Sequence, residues 1–351
     1  MSDVEIRTAG RAGRITLNRP KALNALTWDM VRAIDAALIG WARDDAVSML
    51  ILDGAGERAF CAGGDLAAIH AAASAGDHDH ARGFWRDEYA MNARLFNYPK
   101  PVVSLLHGFT MGGGVGVGCH ASHRIVGESS RISLPECAIG LVPDVGGSLL
   151  LARAPGRLGE YLGTTGRRMR AGDAILAGFA DHYLAESDWP ALIEALERTG
   201  DPALIDAAAQ PPAPSELAGL TDEIDRFFGA RTLADLLNAL GASETAFARQ
   251  TLGELERVSP LSAASTLDLV RRVRGLDGIE QALRMEYRFT ARAQAEGDFL
   301  EGIRAAIIDK DDAPRWRQGV KGIEAQARAM LQPLGDDELK LDEGPARGSG
   351  R

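Results

Sequence analysis

Two apolar runs, each followed by a glycine-rich loop and a helical segment, constrain the fold of this chain more than any other feature. The runs are SMLILDG and VVSLLHG, and the loops CAGGD and TMGGG follow them. A short apolar run that ends at glycine is typical of a buried strand. The recurrence of strand, glycine loop and helix predicts an α/β fold of stacked strand-strand-helix units instead of a single open sheet.

Other segments fit the same fold class. VEIRTAG and GRITLN alternate polar and apolar residues across a turn and predict a β-hairpin. Helical spacing is found in LTWDMVRAIDAALIGWA, LAAIHAAASA and FWRDEYAMNARLFN, whereas HRIVGE and RISL predict two strands around a tight polar turn. The polar stretch GDHDHARG predicts a solvated loop, because its histidines have no distant partner at the spacing of metal ligands.

The later part of the chain is predicted to be helical. Strand signals fade past residue 200, where DPALIDAAAQPPAPSELAG has the composition of a linker. Segments after it, among them LTDEIDRFFG and SETAFARQTLGELER, have a helical period. We therefore predict a catalytic core over residues 1–200, a helical C-terminal region over 201–335 and a flexible, polar tail over 336–351.

Charge and cysteine content limit the partners and the compartment. The chain has 49 acidic and 39 basic residues, and its net charge of -10 argues against binding to nucleic acid or to an anionic membrane surface. No apolar run is long enough to predict a membrane span. Cys61, Cys119 and Cys137 form no CxxC pair, which argues against disulfides and zinc and favours a reducing, cytoplasmic location.

The segment GAGERA matches the loose dinucleotide pattern GxGxxA and follows a predicted strand. That fingerprint requires a helix that begins within the motif and an acidic residue on a second strand about 20 positions later. Here FCAGG delays the helix, and the later region is the polar stretch GDHDH. We therefore do not expect a nicotinamide cofactor.

The glycine loops and two isolated carboxylates are the candidates for chemistry. In CAGGD and TMGGG the backbone has no side-chain cover next to a helix N-terminus, so two facing N–H groups would form an oxyanion hole. Taken singly, each loop is better explained as a tight turn. The segment SLPECAIGLVPDVGGS has only two carboxyl side chains, Glu136 and Asp144. Alone they would be solvated acids on a turn, but beside the glycine loops they form the acid-base side of a site.

Four motifs resemble, in order and spacing, those of the crotonase (enoyl-CoA hydratase/isomerase) superfamily: NRPKALNAL, AFCAGGDL, HGFTMGGGVGV and LPECAIGLVPDVGG. The resemblance implies a crotonase-like spiral of ββα units with a helical C-terminal appendage. It also implies an acyl-CoA substrate whose thioester carbonyl is polarised by two backbone amides, which it assigns to Gly64 and Gly113. Hydratases of this superfamily carry one glutamate in a GGGCEL-type motif and a second in the PE motif. Here Gly116 stands at the first of these positions.

Further segments are similar to those of the 3-hydroxyisobutyryl-CoA hydrolase family within this superfamily, namely FWRDEYAMN, SPLSAASTLDL, ALRMEYRF and DFLEGIRAAIIDKDDAPRW. This similarity implies thioester hydrolysis in valine breakdown. Glu136 would act as general base or as nucleophile, and the sequence leaves both routes open. Asp144 is given an acid-base or substrate-hydroxyl role, and Glu88 is expected to contact the substrate hydroxyl or to orient a water molecule.

The resemblance also assigns coenzyme A to the NRPKALNAL loop, through Lys21, Ala22 and Leu23, with Ala62 nearby and Lys310 as a second candidate for a phosphate. Surface lysines that merely solvate explain both lysines equally well. No separate cofactor and no metal are expected, because coenzyme A is part of the substrate. The family implies a trimer or hexamer, although a helical appendage that covers the assembly surface would leave a monomer.

Two alternatives to the hydrolase reading stay open. The first is an enoyl-CoA hydratase or isomerase that uses Glu136 alone. The second is a non-catalytic acyl-CoA-binding protein, since a fold can persist after its chemistry is lost.

Overall fold

The computed structural model describes residues 2–341. In this range the strands are β1 (Val4–Ala9), β2 (Ala12–Leu17), β3 (Met49–Gly54), β4 (Ala59–Cys61), β5 (Val102–Leu106), β6 (Phe109–Met111), β7 (His123–Val126), β8 (Arg131–Ser133) and β9 (His182–Tyr183). The first α-helices are α1 (Trp28–Ala42), α2 (Leu66–Ser74), α3 (Asp79–Phe96), α4 (Gly113–Gly118), α5 (Gly147–Arg153), α6 (Leu158–Thr165), α7 (Ala171–Leu176), α8 (Trp189–Thr199) and α9 (Ala203–Ala208). The later ones are α10 (Thr221–Phe228), α11 (Leu233–Gly241), α12 (Ala246–Leu255), α13 (Pro260–Val273), α14 (Ile279–Ala293), α15 (Phe299–Ile303) and α16 (Ile323–Met330).

The strands form two sheets built from a repeated unit. A six-stranded sheet has the order β1-β2-β3-β5-β7-β9, and a three-stranded sheet has the order β4-β6-β8. The pair β1-β2 is the predicted antiparallel hairpin, and the pairs that follow are parallel. From β3 onward successive strands alternate between the sheets, with α2 after β4 and α4 after β6. This arrangement confirms the predicted α/β fold of stacked strand-strand-helix units.

The segments HRIVGE and RISL form strands, as predicted, but they do not form a hairpin. They are β7 and β8, which lie in different sheets. The reason is the repeated unit itself, because each unit contributes its first strand to the large sheet and its second strand to the small one.

Strand β3 shows why the apolar runs are continuous. Leu50 and Leu52 belong to the main apolar core, whereas Met49 and Ile51 belong to a second cluster that includes Leu196 of α8. Successive side chains of a strand point to opposite faces, so both faces of β3 are covered. A strand buried on both faces needs apolar residues at every position, and this produces a run instead of an alternation.

Helix α3 begins earlier than predicted. It starts at Asp79, inside the GDHDHARG stretch that the sequence predicts to be a solvated loop. The His80 ring packs edge-on against Trp28, with ring centroids 5.1 Å apart. Across residues 2–341 there is no group of three or more His, Cys, Asp or Glu side chains that could hold a metal ion. In the same range none of the helices is long and apolar enough to cross a membrane.

The predicted helices of the C-terminal region are observed as α10 to α16, but the predicted linker is packed. It contains α9, and Ile205 and Leu217 within it are 1% and 0% exposed. Proline and glycine limit regular structure in this segment, yet they do not prevent burial of its apolar side chains. One contiguous apolar core includes residues from both sides of position 200, so the division at that position stays a prediction.

Part of the predicted tail is also packed. Leu339 is 3% exposed, and Glu338 forms an ion pair with Arg288 of α14 at 2.8 Å. These contacts fix residues 336–341 against the helical region. Residues 342–351, the rest of the predicted tail, lie outside the described residues.

The helical region contacts the segment that follows strand β8. The backbone of Gly302 in α15 lies so close to Ile139 that a Cβ atom at position 302 would be 2.2 Å from the Ile139 carbonyl oxygen. The Ser259 N–H group donates to the Cys137 carbonyl at 3.0 Å. The C-terminal helices therefore support the loop over residues 136–141 from outside.

This contact predicts a large cost for a small substitution. We expect Gly302→Ala to lower the free energy of unfolding by about 1–3 kcal/mol, because the added methyl group overlaps backbone that cannot move freely. Gly253→Ala in α12 is the matched control, since nothing lies within 4 Å of its added Cβ atom. Alanine is favoured in helices, so the control should gain about 0.5–1 kcal/mol. Urea unfolding measures both, and equal stabilities would contradict the contact.

Candidate active site

The two glycine loops meet in the structure. A Cβ atom on Gly113 would lie 3.4 Å from the carbonyl carbon of Gly63, and a Cβ atom on Gly112 would lie 3.6 Å from the Gly63 Cα atom. Gly112 has a φ of 49°, a conformation that favours glycine, and it leads the chain into α4. CAGGD and TMGGG therefore lie side by side, as the oxyanion-hole hypothesis requires.

The N–H groups of Gly64 and Gly113 are not used by the local backbone pairing. The Leu26 N–H donates to the Gly63 carbonyl at 2.8 Å, and the Asp65 N–H donates to the Leu26 carbonyl at 2.9 Å. These two bonds use the residues on either side of Gly64, so the Gly64 N–H takes no part in this pairing. Gly113 is the first residue of α4, where an N–H group has no acceptor within the helix. In the described part of the chain both groups thus stay outside the backbone hydrogen-bond pattern.

Two buried glutamates flank the second glycine loop. Glu136 begins a short 3-10 turn after β8, and its Oε1 atom lies 2.9 Å from the position of a Cβ atom on Gly112. Glu88 of α3 has its Oε1 atom 2.8 Å from the position of a Cβ atom on Gly113. One oxygen of each, Oε2 of Glu136 and Oε1 of Glu88, has no hydrogen-bond partner within residues 2–341. The structure therefore brings both predicted glutamates to the glycine loop.

Asp144 lies in the turn that leads into α5. The Tyr89 hydroxyl donates to its Oδ2 atom at 2.6 Å. The turn continues through Val145 and Gly146, whose φ values are 55° and 79°. A β-branched residue in the left-handed region is strained, and such strain is common at functional sites. Tyr89 directly follows Glu88. Helix α3 therefore carries the Glu88 carboxyl group and binds the Asp144 carboxyl group through Tyr89.

Glu286 of α14 is a fourth carboxylate of this region, and the sequence analysis did not assign it. It is completely buried and accepts hydrogen bonds from the N–H groups of Gly146 at 2.8 Å and Ser148 at 3.0 Å. The Ser148 hydroxyl donates to the same carboxylate. The helical C-terminal region therefore fixes the turn that carries Asp144.

Burial is the main cause that raises the pKa of all four carboxyl groups. The pKa of Asp144 rises only to about 6, because the hydrogen bond from Tyr89 offsets part of the cost of burial. Burial raises the pKa of Glu286 to about 8. For Glu88 and Glu136, burial and then the nearby charge of Asp144 hold the pKa well above its usual range. Among the described residues no lysine or arginine forms an ion pair with any of the four.

Asn92 fills the space beside Gly116. A Cβ atom on Gly116 would lie 2.8 Å from the Nδ2 atom and 3.1 Å from the Oδ1 atom of Asn92, and 2.8 Å from the Val145 Cβ atom. A glutamate at position 116 would therefore have to displace one of these neighbours. The two-glutamate pattern of hydratases is absent from the sequence and does not fit this packing.

A cavity of about 270 Å³ opens next to the glycine loops. It is lined by Leu26, Thr27, Trp28, Asp29, Asp65, Ala68, Ile69, His80 and Phe84. Leu26 reaches to 3.1 Å from the position of a Cβ atom on Gly113, and the Phe84 ring reaches to 3.5 Å from that of a Cβ atom on Gly64. The same side chains therefore line the cavity and contact both loops.

The predicted coenzyme A residues are brought together in part. The Ala62 N–H donates to the Leu23 carbonyl at 3.0 Å, so the loop with Lys21 and Ala22 lies beside the first glycine loop. Lys310 is exposed and lies two residues after the π-helical segment Arg304–Ile308, which packs against α2. Since α2 follows the CAGGD loop, this segment approaches the same side of the site. Contact of either lysine with a phosphate stays a prediction.

Three side chains of the site were not assigned from the sequence: Tyr89, Asn92 and Glu286. All three lie in FWRDEYAMN and ALRMEYRF, segments that carried the similarity to the hydrolase family. The available signal was a side chain with a hydrogen-bonding group on the buried face of a helix, at the spacing of apolar neighbours. That signal marks a residue for attention, but it does not identify its partner.

Comparison with known proteins identifies relatives over nearly the whole chain. The family model described as enoyl-CoA hydratase/isomerase matches residues 12–330. A mitochondrial 3-hydroxyisobutyryl-CoA hydrolase of Danio rerio is 36% identical over 353 residues, which cover 97% of this chain and 92% of the relative. The Homo sapiens protein of the same name is 36% identical over 357 residues, which cover 97% and 91%.

Solved structures with the same fold carry names that differ from those of the sequence relatives. The crystal structure of an enoyl-CoA hydratase from Rhodobacter sphaeroides 2.4.1 is 56% identical, with a TM-score of 0.92, and the match covers 97% of this chain and 100% of that one. That of a carnitinyl-CoA dehydratase from Mycobacterium thermoresistibile is 41% identical, with a TM-score of 0.93 and coverage of 97% and 99%. The two sets of relatives thus carry names from two reaction classes, hydrolysis and the addition or removal of water.

The raised pKa of Glu286 predicts a pH-dependent stability. Because its pKa is higher in the folded state than in the unfolded chain, the folded state binds more protons, and this stabilisation is lost as the pH rises from about 4.5 to about 8. Glu286→Gln cannot titrate. The free energy of unfolding of the wild type, relative to this variant, should therefore fall between pH 4.5 and pH 8.

Urea unfolding at several pH values within this window measures the difference. Glu194→Gln on α8, where the side chain is exposed, is the control and should run parallel to the wild type. Parallel curves for Glu286→Gln and the wild type would show that folding does not raise the pKa of this carboxyl group.

Proposed function

The chain belongs to the enoyl-CoA hydratase/isomerase family, and within this family we propose that it is an acyl-CoA thioester hydrolase that converts 3-hydroxyisobutyryl-CoA and water to 3-hydroxyisobutyrate and CoA. The observation that carries the proposal is the pair of buried glutamates at the glycine loop, together with a glycine at position 116, beside which the Asn92 amide lies instead of a second carboxylate. Relatives with the hydrolase name match 97% of the chain.

The glycine loops are suited to polarise the thioester carbonyl. In the proposed complex, its oxygen accepts hydrogen bonds from the N–H groups of Gly64 and Gly113. As water or a carboxylate attacks the carbonyl carbon, negative charge develops on this oxygen, and the same two donors stabilise it. One such donor lowers the barrier by ~3 kcal/mol.

Glu136 is the proposed catalytic carboxylate, and two routes are open to it. As a general base it takes a proton from water while the water oxygen attacks the carbonyl carbon. As a nucleophile it forms a mixed anhydride, which water then hydrolyses. In both routes the carbon–sulfur bond breaks and the departing thiolate takes up a proton. Burial favours either role, because it raises the basicity of the carboxylate.

Asp144 and Glu88 complete the proposed site. With a pKa of about 6, Asp144 exchanges a proton near neutral pH, which suits a group that protonates the thiolate or binds the substrate hydroxyl. Tyr89 orients it through the hydrogen bond to Oδ2. Glu88, on the other side of the glycine loop, is placed to contact the acyl group or the attacking water.

Hydration is the weaker candidate, although a 56% identical structure carries the hydratase name. Adding water across a double bond in the two-glutamate manner needs a second carboxylate at position 116. Gly116 supplies none, and Asn92 and Val145 occupy the space that a larger side chain would need. A non-catalytic binding protein is also less favoured, because unpaired buried carboxyl groups are costly to keep without a chemical role.

The remaining assignments extend the proposal. Coenzyme A lies along the loop with Lys21, Ala22, Leu23 and Ala62, and Lys310 contacts a phosphate. No separate cofactor takes part, and the reaction belongs to valine breakdown. A cytoplasmic location fits Cys61, Cys119 and Cys137, which are buried and free. Assembly as a trimer, a hexamer or a monomer is decided by a sizing measurement.

The substrate assignment predicts a pattern of thiol release. The protein should release CoA from 3-hydroxyisobutyryl-CoA and from 3-hydroxypropionyl-CoA, and it should neither release thiol from crotonyl-CoA at a comparable rate nor hydrate it. A thiol-reactive dye follows release, and absorbance of the conjugated double bond follows hydration. Hydration of crotonyl-CoA without thiol release from the hydroxyacyl thioesters would replace the hydrolase proposal by the hydratase one.

Replacement of the catalytic carboxylate predicts a loss of turnover without a loss of binding. Glu136→Gln keeps the size of the side chain and removes its basicity, so kcat should fall about 10²- to 10⁴-fold. The dissociation constant for CoA should change little, because the nucleotide binds elsewhere. Glu194→Gln is the surface control. A Glu136→Gln variant with full activity would remove Glu136 from the central role.

A further inference from the structure

Asn92 is a buried amide that has no hydrogen-bond partner among residues 2–341. Its side chain is 0% exposed, and neither Nδ2 nor Oδ1 has a partner within the described residues. Asn24, which is equally buried, shows what a structural amide does in this protein. It accepts from the Arg19 N–H at 2.8 Å and donates to the carbonyls of Ala55 and Ala59 at 3.0 and 2.9 Å. Asn92 therefore lacks the contacts that a purely structural role would provide.

The position of Asn92 is inside the site. Asn92 lies one helical turn after Glu88 on α3. The Glu88 and Asn92 side chains lie beside the same helix, α4, one turn apart. Glu88 approaches Gly113, and Asn92 approaches Gly116 and Val145. Val145 directly follows Asp144. The amide therefore lies between α4 and the turn that carries Asp144, one helical turn along α3 from Glu88.

We propose that the Asn92 amide binds the 3-hydroxyl group of the acyl chain and selects hydroxyacyl over plain acyl thioesters. This inference rests on the proposed function. An amide both donates and accepts, as a hydroxyl does, so one Asn92 side chain can satisfy both capacities of the hydroxyl. A plain acyl chain would leave the buried amide unpaired, and sites of this kind discriminate strongly against a missing hydroxyl.

The test compares two thioesters that differ only in the hydroxyl, 3-hydroxyisobutyryl-CoA and isobutyryl-CoA. The ratio of their kcat/KM values is measured for the wild type, for Asn92→Leu and for Met91→Leu. Leucine resembles asparagine in shape and lacks its polar atoms. Met91 is buried on the same helix, so its variant controls for general disturbance of α3.

We expect Asn92→Leu to lower this ratio at least about tenfold, through loss of activity on the hydroxyacyl thioester alone. The ratio in Met91→Leu should stay that of the wild type. The free energy of unfolding of Asn92→Leu should be unchanged or raised, since an unpaired buried amide is replaced by an apolar group. A variant that loses stability and loses activity on both thioesters equally would show a structural role and overturn the inference.

Failure of the proposed function would be visible separately. If the wild type releases no thiol from either thioester, the hydrolase proposal is wrong. The same ratio is then measured as dissociation constants of the two thioesters by calorimetry. A preference for the hydroxyacyl thioester that Asn92→Leu abolishes supports the inference even then, and equal ratios in variant and wild type overturn it.

Discussion

The burial of four carboxyl groups, none of them paired with a cation in the part of the chain that the structure describes, is the constraint on which this site depends. A carboxylate taken out of water loses several kcal/mol of hydration, so each group must hold a proton or accept hydrogen bonds. For Asp144 the donor is Tyr89, and for Glu286 the donors are Ser148 and backbone N–H groups. Glu88 and Glu136 each keep one oxygen without a partner within residues 2–341, and both carboxyl groups flank the glycine loop. The surrounding fold has to keep these hydrogen-bond donors in place, because an apolar environment contains no other donors.

Three contacts from the helical C-terminal region keep the loops of the site in place. Glu286 holds the turn of Asp144, α15 packs its Gly302 backbone against Ile139, and Ser259 donates to the segment that carries Glu136. These contacts all end on the segment after β8, where Glu136 and Asp144, the proposed catalytic carboxylates, lie. The region is therefore part of the site, although its sequence resembles that of a separate helical addition.

The parts of the fold that were predictable from the sequence are those with local signals. A buried run that ends at glycine marks a strand wherever it occurs, and Glu136 and Asp144 lie in one short motif. Tyr89 and Glu286 were missed because their roles depend on partners 55 and 140 positions away. The linker was misjudged for another reason. Proline and glycine report on regular structure, whereas burial of Ile205 depends on what packs over it.

The collision between side chains and carboxylates at the second glycine loop has an evolutionary consequence. A methyl group at position 112 would lie 2.9 Å from Glu136 Oε1, and one at position 113 would lie 2.8 Å from Glu88 Oε1, so a side chain at either position would push the acid away from the loop. The backbone N–H groups of the glycine loops, in contrast, remain present when side chains around them are substituted. Members of such a family can therefore acquire a new reaction through substitutions at positions such as 92 and 116. The proposed backbone hydrogen bonds to the thioester carbonyl are kept.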